Sequence, residues 1–181
     1  MKVTQASLPG VLVLEPKVFT DARGSFFESH NQQAFDEAVG GGARFVQDNH
    51  STSVRHVLRG LHYQIGRPQG KLVRVVAGEI FDVAVDLRRS SPTFGRWDAV
   101  TISDRNRRQV WIPEGFAHGF LVLSETADVI YKTTDYYAPE SERTIRWDDP
   151  ALAIAWPVSA PVILSAKDAD GPRFDAADLF D

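Results

Sequence analysis

Between Phe45 and Thr134 the sequence is a succession of short strand-like runs, most of them closed by a turn signal. The clearest runs from Phe81 to Arg88. There Phe81, Val83, Val85 and Leu87 alternate with Asp82, Ala84, Asp86 and Arg88. A period of two sends successive side chains to opposite faces of a strand, which a helical period does not do. Gly78–Glu79, Ser90–Pro92, Asp104–Asn106 and Pro113–Gly115 punctuate the neighbouring runs with turn residues. Strands at this spacing predict an antiparallel sandwich or barrel, so the fold class is all-β. Ahead of them, Val11–Leu14 reads as a first strand, Asp21–Gly24 as a turn and Ser25–Ser29 as another short strand. One stretch reads as a helix, Gln32 to Val39, with Asn31 as its N-cap and Gly40 to Gly42 as its stop. From Ala138 the pattern loosens, and a short helix is expected around Ala176 to Phe180.

The chain has 181 residues, enough for one domain with a real core. Its net charge is −4, and the only basic run, Arg105–Arg108, is short. Nucleic-acid binding is therefore not expected. There is no cysteine, which removes disulfides, thiolate metal sites and thiol nucleophiles. Plain aliphatic runs fall far short of a membrane span, and residues 1–10 lack the apolar core of a signal peptide. A cytoplasmic protein without membrane contact is the expectation.

The chemistry points to Leu58–Gly78. His62 lies on one strand-like segment and Lys71 opens the next, with Arg67-Pro68-Gln69-Gly70 expected as a type I turn between them. Such a hairpin sets a base beside a positive charge. The same pattern also fits a surface histidine near a surface lysine. His62 is followed by Tyr63 and Gln64, so no second imidazole sits two residues on. His50 and His56, six apart, match no ligand spacing, and His62 and His118 with a possible carboxylate make an incomplete metal site, so no metal is expected. On the later strand, Ala127, Val129, Tyr131 and Thr133 share one face, which suits a barrel interior. Tyr131 there is either a core tyrosine or a general acid facing the histidine.

Longer motifs carry a resemblance. These are Phe19–Gly24 with Phe26 and Glu28, Gln47–Ser51, Leu58–Gln64, Gln69–Lys71, Gly78–Asp86, Ile112–Gly119 and Tyr131–Thr133. In order and spacing the chain resembles the cupin-fold sugar-nucleotide epimerases, specifically the dTDP-4-dehydrorhamnose 3,5-epimerases. The resemblance implies a double-stranded β-helix (cupin or jelly-roll) barrel with a few short helices, spanning residues 1–181 as one domain. It implies an isomerase that uses neither metal nor cofactor. It implies a homodimer in which N-terminal strands, about residues 1–30, are exchanged. By the same resemblance His62 is the base, Tyr131 the proton donor, Lys71 the group beside the ketone oxygen, and Asp168 the acid paired with the histidine. Arg23, Phe26, Glu28, Gln47, Asp48, Asn49, Arg59, His118, Tyr137, Glu142 and Lys167 are implied as contacts to the substrate, dTDP-4-dehydro-6-deoxy-D-glucose. An epimerase acting at C3 or C5 alone, a binding jelly roll without turnover and a metal-dependent cupin enzyme are the competing readings.

Overall fold

The computed structural model describes residues 1–181. Thirteen strands, β1 (Lys2–Gln5), β2 (Leu12–Glu15), β3 (Phe19–Asp21), β4 (Gly24–Phe26), β5 (Gln47–Val54), β6 (Leu58–Gln64), β7 (Lys71–Ala77), β8 (Glu79–Asp86), β9 (Trp97–Ser103), β10 (Gln109–Ile112), β11 (Phe116–Val122), β12 (Thr126–Thr133) and β13 (Glu142–Thr144), dominate the chain. Two short α-helices, α1 (Gln32–Val39) and α2 (Ala166–Ala169), complete the regular structure with two single 3-10 turns. A six-stranded sheet in the order β1-β2-β10-β7-β12-β5 faces a five-stranded sheet in the order β13-β6-β11-β8-β9. All their strand pairings are antiparallel. This is the jelly-roll barrel expected from the sequence. No helix is long and apolar enough to cross a membrane.

Apolar side chains pack inside the barrel, outside the five-stranded sheet and, beneath α1, on part of the outer face of the six-stranded sheet. Inside the barrel, Val73, Val75, Ile80, Ala84, Phe116, Phe120, Ala127 and Val129 pack together, and Tyr131 rests against them. The odd-numbered residues Val83, Val85 and Leu87 instead face outward. They are covered by the segment after Ala138, through Ile145, Leu152, Trp156 and Phe180. The apolar row that announced the strand is therefore its outer face, and Asp82 is on the interior one. At roughly 25 cal/mol per Å² of apolar area, each such covered side chain contributes about 1.5–3 kcal/mol.

Helix α1 forms where the sequence placed it. The Asn31 side chain accepts a hydrogen bond from the Ala34 N–H, and Gly40 ends the helix at φ 84°. Phe35 is the buried anchor, edge-on to Trp111 at 5.1 Å between ring centroids.

Three expectations need correction. His62 and Lys71 are not on one hairpin: β6 belongs to the five-stranded sheet and β7 to the six-stranded one. The link between them must cross from wall to wall, roughly 10 Å in packed sheets, which a tight four-residue turn does not span. Residues 65–70 are pinned instead to the end of β12. Arg67 forks onto Asp135 at 2.6 and 2.9 Å, and Gly70 exchanges hydrogen bonds with Thr134. The expected strand Ser25–Ser29 is shorter, because pairing in the β3–β4 hairpin ends at Phe26 opposite Phe19. The helix expected at Ala176–Phe180 is a 3-10 turn at Phe174–Ala176. Phe180 is extended and hydrogen-bonds Leu87 and Arg89, which outweighs the local helical preference.

Candidate active site

The mouth of the barrel holds a cavity of about 240 Å³ lined mostly by polar side chains. The five-stranded wall contributes Arg59, His62, Gln64, His118 and Glu142. The six-stranded wall contributes Gln47, Asn49, Ser51, Lys71 and Tyr131, the loops add Gln69 and Tyr137, and α2 adds Lys167.

The β6–β11 pairing sets the first of these. Gly60 has φ +127°, and a Cβ there would stand 2.6 Å from the Gly119 Cα. Only glycines let the strands approach so closely. The register shifts between His118 and Phe120, and His118 is the cross-strand partner of His62. A bulge at this place re-aims side chains toward the cavity.

His62 Nε2 meets Asp168 Oδ1 at 2.5 Å. Asp168 is buried in α2 and held from behind. Its own N–H donates to the Ser165 side chain, and the Gly60 N–H reaches its second oxygen at 3.5 Å. Burial opposes a charge on this carboxyl, but the His62 hydrogen bond and charge and the Ser165 and Gly60 contacts outweigh it and leave Asp168 below the usual carboxylate range. Burial also acts on His62, lowering its pKa, while Asp168 pulls the other way. The imidazole is thus neutral near pH 7. With one ring N–H committed to Asp168, the other nitrogen is free to accept a proton.

Lys71 stands across from His62, at the mouth end of the interior row Lys71, Val73, Val75. It is 7% exposed, and its Nζ donates to the His62 carbonyl at 3.3 Å. Burial lowers its pKa to about 8. Tyr131 is on the neighbouring strand, paired with Val73 and Asn49. Burial raises the phenol above its ordinary value, partly opposed by the charge of Arg59.

Around this centre the polar groups are tied to one another. Gln47 bonds Asn49 at 2.9 Å and accepts from the Tyr137 N–H. Glu142 takes Lys167 on one oxygen at 2.6 Å and the Tyr137 hydroxyl on the other at 3.0 Å. Arg59 Nε donates to Ser53. Gln64 is an anchor for the loops, donating to the Arg67 and Tyr136 carbonyls and accepting from Ala138 N–H. No group of three or more His, Cys, Asp or Glu side chains is arranged to hold a metal ion.

Of the residues singled out from the sequence, most converge on this cavity, with Asp168 directly behind His62. Asp48 does not. It lies between Gln47 and Asn49 on β5, so the pleat turns it outward, where it pairs with Lys132 at 2.9 Å. Arg23, Phe26 and Glu28 are also outside the cavity of their own chain. Arg23 bonds Asp21, Phe26 is 70% exposed, and Glu28 lies near the α1 N-terminus. Ser51, Gln69 and Phe120 line the cavity without having been singled out. The alternation Gln47, Asn49, Ser51 on one face of β5 was the available signal for the first of them.

A family model described as dTDP-4-dehydrorhamnose 3,5-epimerase matches residues 5–176. The chain belongs to that family. The dTDP-4-dehydrorhamnose 3,5-epimerase of Pseudomonas aeruginosa is 61% identical over 180 residues, covering 99% of both chains. That of Salmonella typhimurium is 59% identical, covering 98% of this chain and 97% of the relative. Among solved structures, the dTDP-6-deoxy-D-glucose-3,5-epimerase of Legionella pneumophila Philadelphia 1, in complex with dTDP-4-keto-L-rhamnose, superposes with a TM-score of 0.96. It is 52% identical, with coverage of 98% and 94%. Membership of the dTDP-4-dehydrorhamnose 3,5-epimerase family makes the chain an isomerase, with the cavity at the barrel mouth as its candidate active site.

Proposed function

We propose that this chain epimerises dTDP-4-dehydro-6-deoxy-D-glucose at C3 and C5, giving dTDP-4-dehydro-L-rhamnose. The observation that carries the reading is the placement of a neutral, carboxylate-backed histidine on one wall of the cavity and a protonated tyrosine on the other, with a buried lysine beside them.

Both hydrogens to be moved are α to the C4 ketone. His62 takes the proton from carbon, and the electron pair passes into the C4–O bond as an enolate. Lys71 stabilises that oxygen, which matters because charge appears there only as the reaction proceeds. Asp168 stabilises the imidazolium. Tyr131 returns a proton to the opposite face of the same carbon, and the C4 carbonyl re-forms. The exchange is redox-neutral and asks for no cofactor. Arg59 supplies a permanent positive charge suited to the diphosphate. Tyr137 offers a ring for the thymine, and Gln47, Asn49, His118, Glu142 and Lys167 are the remaining contacts.

The same proposal covers assembly. The chain acts as a homodimer of single-domain subunits, with N-terminal strands from about residues 1–30 exchanged. Arg23, Phe26 and Glu28 then complete the cavity of the second copy. Supporting this, Phe19 and Phe26 are 53% and 70% exposed on the β3–β4 hairpin. The enzyme is placed in the cytoplasm, in keeping with its cysteine-free sequence.

In D2O the protein incorporates deuterium at both C3 and C5 of dTDP-4-dehydro-6-deoxy-D-glucose, as read by proton NMR and mass spectrometry. Label at one carbon would make it a mono-epimerase, and label at neither would end the proposal. Tyr131→Phe slows net inversion more than exchange, because abstraction by His62 does not use the phenol. Equal loss of both would remove Tyr131 from the donor role.

A further inference from the structure

Two histidine–aspartate pairs stand on neighbouring strands, His62 with Asp168 and His118 with Asp82. The reaction as proposed uses only the first. Asp82 is 2% exposed on the interior face of β8, between Ile80 and Ala84, behind the cavity lining. Its Oδ2 meets His118 Nε2 at 2.7 Å. Its Oδ1 is buried with no hydrogen-bond partner. A buried carboxylate oxygen left unpaired is costly and calls for a reason. Lys71 enters the same interior from the opposite wall, and its one hydrogen bond within the protein goes to the His62 carbonyl. A buried ammonium is equally costly without an opposing charge.

We propose that Asp82 is a positioning residue: its buried carboxylate, oriented by His118, is the counter-charge that keeps Lys71 an ammonium inside the barrel. This rests on Lys71 serving the C4 oxygen, for which it must carry its proton. The charged and titratable groups facing the cavity around Lys71 are Asp82 from β8, Glu142 from β13, Lys167 from α2, Arg59 and His62 from β6, His118 from β11, Tyr131 from β12 and Tyr137 from the loop after it. Burial and Lys167 favour the neutral amine, while Asp82 is the foremost group favouring the ammonium, ahead of Glu142. Glu142 is also already engaged by Lys167 and Tyr137. Asp82 makes no ion pair with a lysine or arginine, and its second oxygen has no hydrogen-bond partner.

The test is titration of the lysine side chains by 13Cε NMR in the full-length protein, with Lys71 assigned by its loss in Lys71→Arg. The wild-type midpoint for Lys71 is expected at about 8. In Asp82→Asn, which keeps the shape and a hydrogen-bonding group, it falls by about one unit or more. Asp82→Glu restores it. In step, kcat of the Asn variant drops at neutral pH but approaches wild type as the pH is lowered toward 6, with KM changed less than twofold. A Lys71 midpoint that stays put in a folded Asp82→Asn protein overturns the assignment. Asp82→Ser carries the same expectation should the Asn variant not fold. The titration needs no substrate, so it separates failure of this assignment from failure of the epimerase reading, which deuterium exchange decides.

Discussion

Alanine in place of His62 lowers deuterium exchange at both C3 and C5, by a factor on the order of 10²–10⁴, the usual contribution of a positioned general base. The two carbons fall together because the proposal assigns both abstractions to His62, the Asp168-backed imidazole on the wall opposite Tyr131. Asp168 cannot take over, since it sits behind the ring and is held as a carboxylate below the usual range. The loss is chemical and not structural: the His62 side chain is 27% exposed and lines the cavity without filling the core. The variant keeps the fold but unfolds at a somewhat lower temperature, because the buried Asp168 loses its partner, while exchange followed by NMR in D2O is lost. Exchange surviving at one carbon only would point to a second base, and His118 is the other imidazole lining the cavity.

How much of this was legible in the sequence depends on which side of a strand a residue faced. On β12 the period of two put Ala127, Val129 and Tyr131 on one face, and that face is the barrel interior. The helix at Gln32–Val39 was equally plain, because its cap and its stop are local chemistry. Asp82 was hidden for the opposite reason. Phe81, Val83, Val85 and Leu87 look like the core row and Asp82 like a solvent residue, yet the C-terminal segment covers the apolar row from outside. Nothing local to Phe81–Arg88 encodes that cover. The link between His62 and Lys71 failed similarly. A Pro-Gln-Gly sequence suits a tight turn, but pairing across the barrel is decided by non-local contacts, here between residues 67–70 and 134–135. The outcome brings the base and the charge together from opposite walls, which a hairpin would have placed side by side on one. Asp48 shows how motif resemblance and pleat disagree: its neighbours face the cavity, so it cannot.

Methionine in place of Lys71 separates charge from packing. The substitution keeps an unbranched side chain of similar length and removes the ammonium. Loss of one preorganised group at a developing oxyanion costs about 10²–10³ in kcat, equivalent to about 2.7–4 kcal/mol. Stability falls as well, because removing the ammonium alone leaves the buried Asp82 carboxylate without its counter-charge, so the rates are compared below the melting transition of the variant. The pH profile carries the diagnostic. In the wild type His62 must be neutral, so the rate rises with pH through a midpoint that burial holds below the ordinary histidine value of about 6.5. Lys71 must be protonated, so the rate falls again as pH passes about 8. The result is a bell with an upper limb owned by Lys71. Lys71→Met keeps the lower limb and loses the upper one near 8, leaving a slow reaction that stays flat until Tyr131, whose pKa burial raises, begins to ionise. Steady-state rates between pH 5 and 10 on both proteins decide the matter. An unchanged upper limb in the variant would assign that ionisation elsewhere and leave the enolate without its cation.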